Sequence, residues 1–285
     1  MKKRLDLLVV ELGLLPSRQV AQTAIMDGGV IVDGVKVTKP GTAIKDNAKI
    51  EITGQWQEKK YVSRGGFKLE KALEHFNLSV KNKICLDVGA STGGFTDCLL
   101  KYGASLVYAI DVGYGQIDWS LRTNEKVIVK ERMNARYATV SEIYSESAEF
   151  ASLAVADLSF ISILKVLPAC VALLAPQHDI IALIKPQFEA GKELVGKGGV
   201  VRDAQTHEAV LQTVVEEAEK MQLQLRALTY SPIKGPAGNI EFLAWWSSLS
   251  SDNVSNVDRV DIEAVVNAAH SGLHGAQAEP QTPGA

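Results

Sequence analysis

Four ionisable side chains, Lys68, Asp157, Lys185 and Glu241, lie far apart in a chain of 285 residues, and each stands beside a segment that should end near the mouth of one parallel sheet. Two amines and two carboxylates gathered in one pocket suit a definite chemistry. A buried lysine beside a second cation loses its proton more readily, and the neutral amine can then take a proton from a hydroxyl. Taken singly, each residue has an ordinary reading: Lys68 an exposed helix lysine, Asp157 a helix N-cap, Lys185 the residue before a turn proline, Glu241 a strand-end surface charge. The four together favour a pocket that activates an oxygen nucleophile.

Between the first and second of them runs Cys85-Leu86-Asp87-Val88-Gly89-Ala90-Ser91-Thr92-Gly93-Gly94-Phe95. An apolar strand ending in an acid, then residues without bulk, then a helix start, lets a ligand approach backbone N–H groups closely. Gly89 is followed by Ala90-Ser91-Thr92 before Gly93-Gly94, so this is not the dinucleotide Gly-x-Gly-x-x-Gly fingerprint. The next strand, Val107-Tyr108-Ala109-Ile110-Asp111, also finishes with a carboxylate, placed to accept hydrogen bonds from ribose hydroxyls. On these residues alone a dinucleotide remains the alternative.

The elements that must position these residues follow from periodicity. Residues 61–250 alternate: helix 66–76, strand 83–88, helix 94–102, strand 106–111, helix 115–122, strand 126–130, strand 152–156, helix 161–174, strand 179–184, helix 203–220, then strands 222–230 and 240–246. This is an α/β pattern, a Rossmann-like doubly wound sheet with an antiparallel last strand. Residues 1–60 differ, with helices over 4–12 and from Ser17 to Gly28-Gly29, a hairpin turning at Asp33-Gly34, and a strand over 49–53, an α+β module followed by a polar linker at 54–60. Residues 251–285 read as a helix, with helical spacing over 257–269, and then a disordered tail rich in Gly, Gln and Pro.

The net charge of −3 conceals a basic start: residues 1–60 carry ten Lys/Arg against seven Asp/Glu. That end is the candidate polyanion reader. Cys85, Cys98 and Cys170 form no Cys-x-x-Cys pair and stand among apolar residues, which points to reduced core thiols and a cytoplasmic protein. No stretch approaches the ~20 apolar residues of a membrane span, and acidic residues interrupt the short apolar part of the N-terminus.

Residues 4–53 resemble the RNA-binding domain named after ribosomal small-subunit protein four. The resemblance makes Arg4, Arg18, Gln19, Gln22, Lys36 and Lys39 candidates for phosphate, sugar or base contacts. The glycine-rich run resembles motif I of S-adenosylmethionine-dependent methyltransferases, whose acid and loop amides hold the methionine end of the cofactor. In order, Lys68, Asp157, Lys185 and Glu241 match the Lys-Asp-Lys-Glu set of the FtsJ-like ribose 2′-O-methyltransferases. With Ser63-Arg64-Gly65-Gly66-Phe67-Lys68-Leu69 and Lys185-Pro186-Gln187-Phe188-Glu189, the chain to about residue 270 is similar to the TlyA family. Proteins of that family carry two descriptions, haemolysin and ribosomal RNA cytidine 2′-O-methyltransferase.

The resemblance implies methyl transfer to a cytidine ribose of ribosomal RNA or its subunits, without a metal and with no oligomer implied. It places Asp87, Gly89, Ala90, Ser91, Thr92, Gly93, Gly94, Phe95, Asp111, Asn134 and Asp157 around the cofactor, and Arg64, Arg132, Arg136 and Arg202 near RNA. The expected division of labour has Lys185 closest to the 2′-oxygen, oriented by Asp157 and Glu241, with Lys68 adding positive potential. His207, on a polar helical stretch, is expected to be exposed.

Rival chemistries lack their residues. Exocyclic amine methylation calls for Pro-Pro-aromatic after the strand-four acid, where Leu158-Ser159-Phe160 stands; Cys170 sits in an apolar pattern unsuited to a carbon-5 nucleophile; and Arg4-Leu5-Asp6 lacks the glycine of a pseudouridine synthase motif. A non-catalytic ribosome-assembly factor or a membrane-active haemolysin remains the alternative.

Overall fold

The computed structural model describes residues 2–15, 17–54, 60–248 and 260–274. Most of the expected linker and the tail after residue 274 lie outside the described residues. Contacts divide the chain into two units, Met1–Lys60 and Tyr61–Ala285.

The first unit holds β1 (Lys2–Arg4), α1 (Leu5–Glu11), α2 (Arg18–Met26), β2 (Val30–Val32), β3 (Val35–Lys36), β4 (Ala43–Lys45) and β5 (Ile50–Ile52). Ser17 caps α2 by accepting the Val20 N–H at 3.3 Å. Asp33 (φ 49°) and Gly34 (φ 80°) supply the two left-handed residues that a tight hairpin between β2 and β3 needs. The three-stranded sheet β3-β2-β5 and the helices close over Leu5, Val9, Ala21, Ala24, Ile25 and Val30, all fully buried. The pairing of β1 with β4, antiparallel from Lys2↔Lys45 to Arg4↔Ala43, was not expected from the sequence, because three basic residues carry no apolar alternation.

The second unit runs α3 (Gly65–His75), β6 (Ile84–Val88), α4 (Gly94–Lys101), β7 (Leu106–Ile110), α5 (Trp119–Arg122), β8 (Val127–Lys130), α6 (Val140–Ile143), β9 (Ala151–Ala156), α7 (Leu167–Ala172), β10 (Leu174–Ile184), α8 (Pro186–Glu189), α9 (Ala204–Lys220), β11 (Leu223–Tyr230), β12 (Phe242–Ser248) and α10 (Ile262–His274). The sheet order is β11-β12-β10-β9-β6-β7-β8. Neighbours from β8 to β10 are parallel, and β12 inserts antiparallel to both β10 and β11. The strands are apolar on both faces because each face carries helices. Leu69, Leu73, Phe95 and Leu99 of α3 and α4 cover one face with Val107, Val155 and Leu183; Leu167, Leu211, Val214 and Val266 of α7, α9 and α10 cover the other with Leu86, Ile180 and Trp246.

Two expected helices are cut short. Residues 115–122 give only α5, capped by Asp118. The 161–174 pattern breaks into a 3-10 turn, Ile163–Lys165, and α7, which carries Pro168 in its first turn, where the missing N–H costs nothing. Cys85, Cys98 and Cys170 are buried and unbridged, and burial pushes the Cys85 and Cys170 thiols up to about 12. None of the described helices is long and apolar enough to cross a membrane.

Candidate active site

The loops that carry the candidate residues all leave the C-terminal edge of the parallel strands, where open α/β sheets bind ligands. Gly89 follows β6, Asp111 follows β7, Asp157 follows β9 and Lys185 follows β10. Glu241 reaches the same edge from the opposite direction, since β12 is antiparallel and its first residue, Phe242, pairs with Ile184. Lys68, in α3, completes the group.

The four side chains form a line of alternating charge. Lys68 Nζ donates to Glu241 Oε2 at 2.7 Å and to Asp157 Oδ2 at 3.3 Å, while Lys185 Nζ lies 2.6 Å from Asp157 Oδ1. The last contact is an ion pair too bent to count as a hydrogen bond, and Lys185 instead donates to Ser159 Oγ at 3.1 Å. Lys68, Lys185 and Glu241 are buried, and Asp157 is partly exposed to the cleft. Burial pulls the Lys68 ammonium down, but Asp157 and Glu241 together outweigh it and leave the group above the ordinary lysine value. Two expectations change here: the lysines do not depress each other at Lys68, and Glu241 holds Lys68 rather than orienting Lys185.

Two clefts meet at this line. One, about 290 Å³, is lined by Arg64, Lys68, Ala90, Thr92, Gly94, Phe95, Asp157 and Lys185. The other, about 500 Å³, is lined by Asp111, Gln116, Met133, Asn134, Phe160 and Val166, and Gly89, Ser91, Asp157 and Ser159 belong to both. Gly89 is at φ 83°, and a Cβ there would stand 2.9 Å from the Asp157 carbonyl oxygen, so only glycine lets the loops after β6 and β9 touch.

The second cleft has the chemistry to hold a nucleoside. Asp111 Oδ2 accepts the Ser91 N–H at 2.7 Å and Oδ1 accepts the Gly113 N–H at 2.6 Å, which fixes the carboxylate and leaves each oxygen a further lone pair. Asn134 is on the wall, its Oδ1 accepting the Arg136 N–H at 3.1 Å. Met133, Ile161 and Val166 give an apolar side for a base. Asp87 and Gly93 line neither cleft: Asp87 is fully buried beneath the loop, accepts the Thr96 hydroxyl at 2.6 Å, and burial pushes its carboxyl up to about 7. Its place is structural support of the loop, and Gly93 packs toward Leu121.

The basic candidates divide. Arg4, Arg18 and Gln22 converge on Asp6, which is fully buried. Arg4 donates from Nε and Nη2, Arg18 from Nε and Gln22 from its amide, all at 2.9–3.0 Å. The Arg4 pair, with Gln22 and Arg18, holds the Asp6 carboxyl far below the usual carboxylate range. The aspartate of Arg4-Leu5-Asp6 therefore anchors two half-exposed guanidinium groups. Lys36, Lys39, Gln19 and Arg202 are exposed. Arg64 donates to the Lys234 carbonyl at 3.4 Å, and Arg132 and Arg136 stack on Tyr114 and Tyr137. His207 is not exposed. It is fully buried, 2.9 Å from His270 and edge-on to Phe242, and burial followed by the His270 neighbour brings it down to about 4. Its spacing from Val210, Leu211, Val214 and Ala218 puts it on the apolar stripe of α9, a signal its polar neighbours Thr206 and Glu208 obscure. Ser159 is a site residue the sequence reading missed.

This strand order, with an inserted antiparallel strand and a glycine-rich loop after β6, defines a Rossmann-like methyltransferase. Comparison with known proteins agrees. The model of the FtsJ-like methyltransferase family matches residues 61–248, and that of the S4 domain matches residues 3–50. A 16S/23S rRNA (cytidine-2′-O)-methyltransferase, TlyA, of Mycobacterium tuberculosis is 45% identical over 244 residues, 86% of this chain and 89% of its own. Hemolysin A of Brachyspira hyodysenteriae is 47% identical over 241 residues, 85% of this chain and 98% of its own. The solved structure of a candidate haemolysin from Streptococcus thermophilus superposes with a TM-score of 0.72 at 42% identity, covering 96% of this chain and 98% of that one. The chain belongs to the FtsJ-like methyltransferase family and, within it, to the TlyA group.

Proposed function

We propose that the chain transfers a methyl group from S-adenosylmethionine to the ribose 2′-hydroxyl of a cytidine in ribosomal RNA. The observation that carries this reading is the asymmetry of the charge line. Lys68 has two carboxylates within hydrogen-bond distance, whereas Lys185 has one, shared with Lys68, and a neutral hydroxyl. Asp157 and Glu241 hold Lys68 above the ordinary lysine value, so Lys68 is the lasting cation and the role of general base falls to Lys185.

In this mechanism the neutral Lys185 amine takes the proton of the 2′-hydroxyl as the oxygen becomes nucleophilic. Lys68 stabilises the charge that develops on that oxygen, Glu241 keeps Lys68 protonated, and Asp157 couples the two amines. Bound S-adenosylmethionine would supply the electrophilic sulfonium methyl group for that oxygen and leave as the neutral thioether. Asp111 and Asn134 would hold its nucleoside, and the backbone from Gly89 to Phe95 would face its other end. Lys185 then returns its proton to water. The transfer itself requires no metal.

For RNA, residues 1–60 act as the binding module, residues 61–250 as the methyltransferase domain and 251–285 as a C-terminal extension. Arg4, Arg18, Gln22 and Lys36 contact RNA from the module, and Arg64, Arg132 and Arg136 contact phosphates beside the clefts. Such a substrate makes the cytoplasm the place of work. The test is to incubate ribosomal subunits with the purified protein and isotope-labelled cofactor, then to map the label by mass spectrometry. We expect label on the ribose of a cytidine, and Lys185→Ala should abolish it while binding cofactor almost normally. Label on a base would overturn the reaction, and substantial methylation by the variant would overturn the choice of base.

A further inference from the structure

We propose that Ser159 is a positioning residue that aims the Lys185 amine; this rests on Lys185 being the base. Among the described residues, the Lys185 amine makes one hydrogen bond, to Ser159 Oγ at 3.1 Å, and its 2.6 Å contact with Asp157 is charge against charge at a bent angle. Coulomb attraction holds an amine near a carboxylate but is indifferent to which of its valences points where. A hydrogen bond is directional and falls off steeply with misalignment. The direction of the Lys185 amine is therefore set by the hydroxyl, and its proximity by the carboxylate.

Position supports this role. Ser159 lies on the wall common to both clefts, as does Asp157, so the amine is tethered at the junction of the nucleoside cleft and the cationic one. The loop is also shaped for it: Phe160, directly after Ser159, takes a left-handed φ of 64°, and its ring is 91% exposed while leaning on Phe188 at 5.4 Å between centroids. A bulky residue in that conformation is unusual and costs energy. Phe188 is three residues after Lys185, so the ring contact shows that the Ser159 turn lies beside the segment that carries the amine.

Neutral Lys185 has two N–H groups and one lone pair. With one N–H on Ser159 and Asp157 close on another side, the lone pair is left to face the cleft. The proton it takes comes from the ribose hydroxyl and is released to water, so Ser159 neither gains nor loses a proton over the cycle.

The experiment compares Ser159→Ala and Ser159→Thr with the full-length protein on ribosomal RNA, measuring kcat and KM for RNA and cofactor. Ser159→Ala should lower kcat by about 10- to 100-fold, the range that follows from misplacing a reacting group, and leave both KM values within about twofold of wild type. Ser159→Thr, which keeps a hydroxyl, should recover most of the rate. Calorimetric binding of S-adenosylhomocysteine to both variants checks that they fold. An unchanged kcat, a Ser159→Thr rate as low as that of Ser159→Ala, or a raised cofactor KM at normal kcat would each overturn the proposal. Failure of the base assignment is seen separately: in that case Lys185→Ala remains active whatever Ser159→Ala does.

Discussion

Two lysines share Asp157, and the second carboxylate decides between them. Glu241 is fully buried on Lys68, so Glu241→Gln leaves the ammonium one counter-charge and draws Asp157 toward it. Breaking one side of a buried ion pair costs about 3–5 kcal/mol. We expect thermal unfolding several degrees lower and a kcat reduced by about 10- to 100-fold at near-normal cofactor affinity, and a variant with the wild-type rate would remove Glu241 from the site. Lys68, on α3, was named through the resemblance, whereas that Asp157, Lys185 and Glu241 reach one edge was legible in the sequence, because each abuts a strand. Who pairs with whom was not: the partner of Glu241 depends on β12 lying beside β10 in the register Ile184↔Phe242, which no local pattern encodes. Ser159 was hidden for a related reason, since a serine in a loop is far more often a turn residue than a tether.

At the scale of elements, α9 and α10 meet through a pair of histidines. His207 is buried against Phe242 with His270 at 2.9 Å, and Asp203, the N-cap of α9, is the charged neighbour that favours its protonation. Two neutral imidazoles can share one hydrogen; two imidazolium ions repel. Since burial and His270 bring His207 from an ordinary 6.5 to about 4 in the folded protein, the unfolded chain binds the extra proton in that interval. Stability is therefore complete above the upper value and is lost as pH falls through the interval, by on the order of 3 kcal/mol. Thermal unfolding measured across it should reveal the decline, and His207→Leu should flatten it; an equally steep decline in the variant would assign it to other groups. Helix and strand identities were mostly readable from apolar period, and the failures were local. Pro168 breaks a pattern that looked like one helix, and α5 starts late because Asp118 caps it.

For the whole molecule, the charge distribution argues that RNA affinity comes from the basic first sixty residues, against a remainder that is net acidic. Affinity of that kind falls as salt rises, in proportion to the phosphates contacted. Arg4 and Arg18 are poor residues with which to test it, because each also holds the buried Asp6 carboxylate, and removing either weakens the unit itself. Lys36 and Lys39 carry no such burden, as both are exposed. We expect Lys36→Ala and Lys39→Ala each to reduce the salt slope of RNA binding by roughly one where the side chain meets a phosphate, with cofactor affinity unchanged. Slopes and affinities equal to wild type would move RNA recognition elsewhere. The fold class was visible in sequence, because long strand-helix alternation has a period of its own. The Asp6 network was not, since it joins side chains from three segments.

The last strand of the sheet in chain order is not its last in space. β12 slots between β10 and β11, so β11, although made earlier, has no partner until β12 arrives. Glu241 immediately precedes that strand. A polypeptide of only the first 240 residues thus has the glycine loop, both lysines and Asp157, but an unfinished sheet and only the more distant of the two carboxylates that hold Lys68. Competence arrives with β12, as the keystone of an arch is set after its sides.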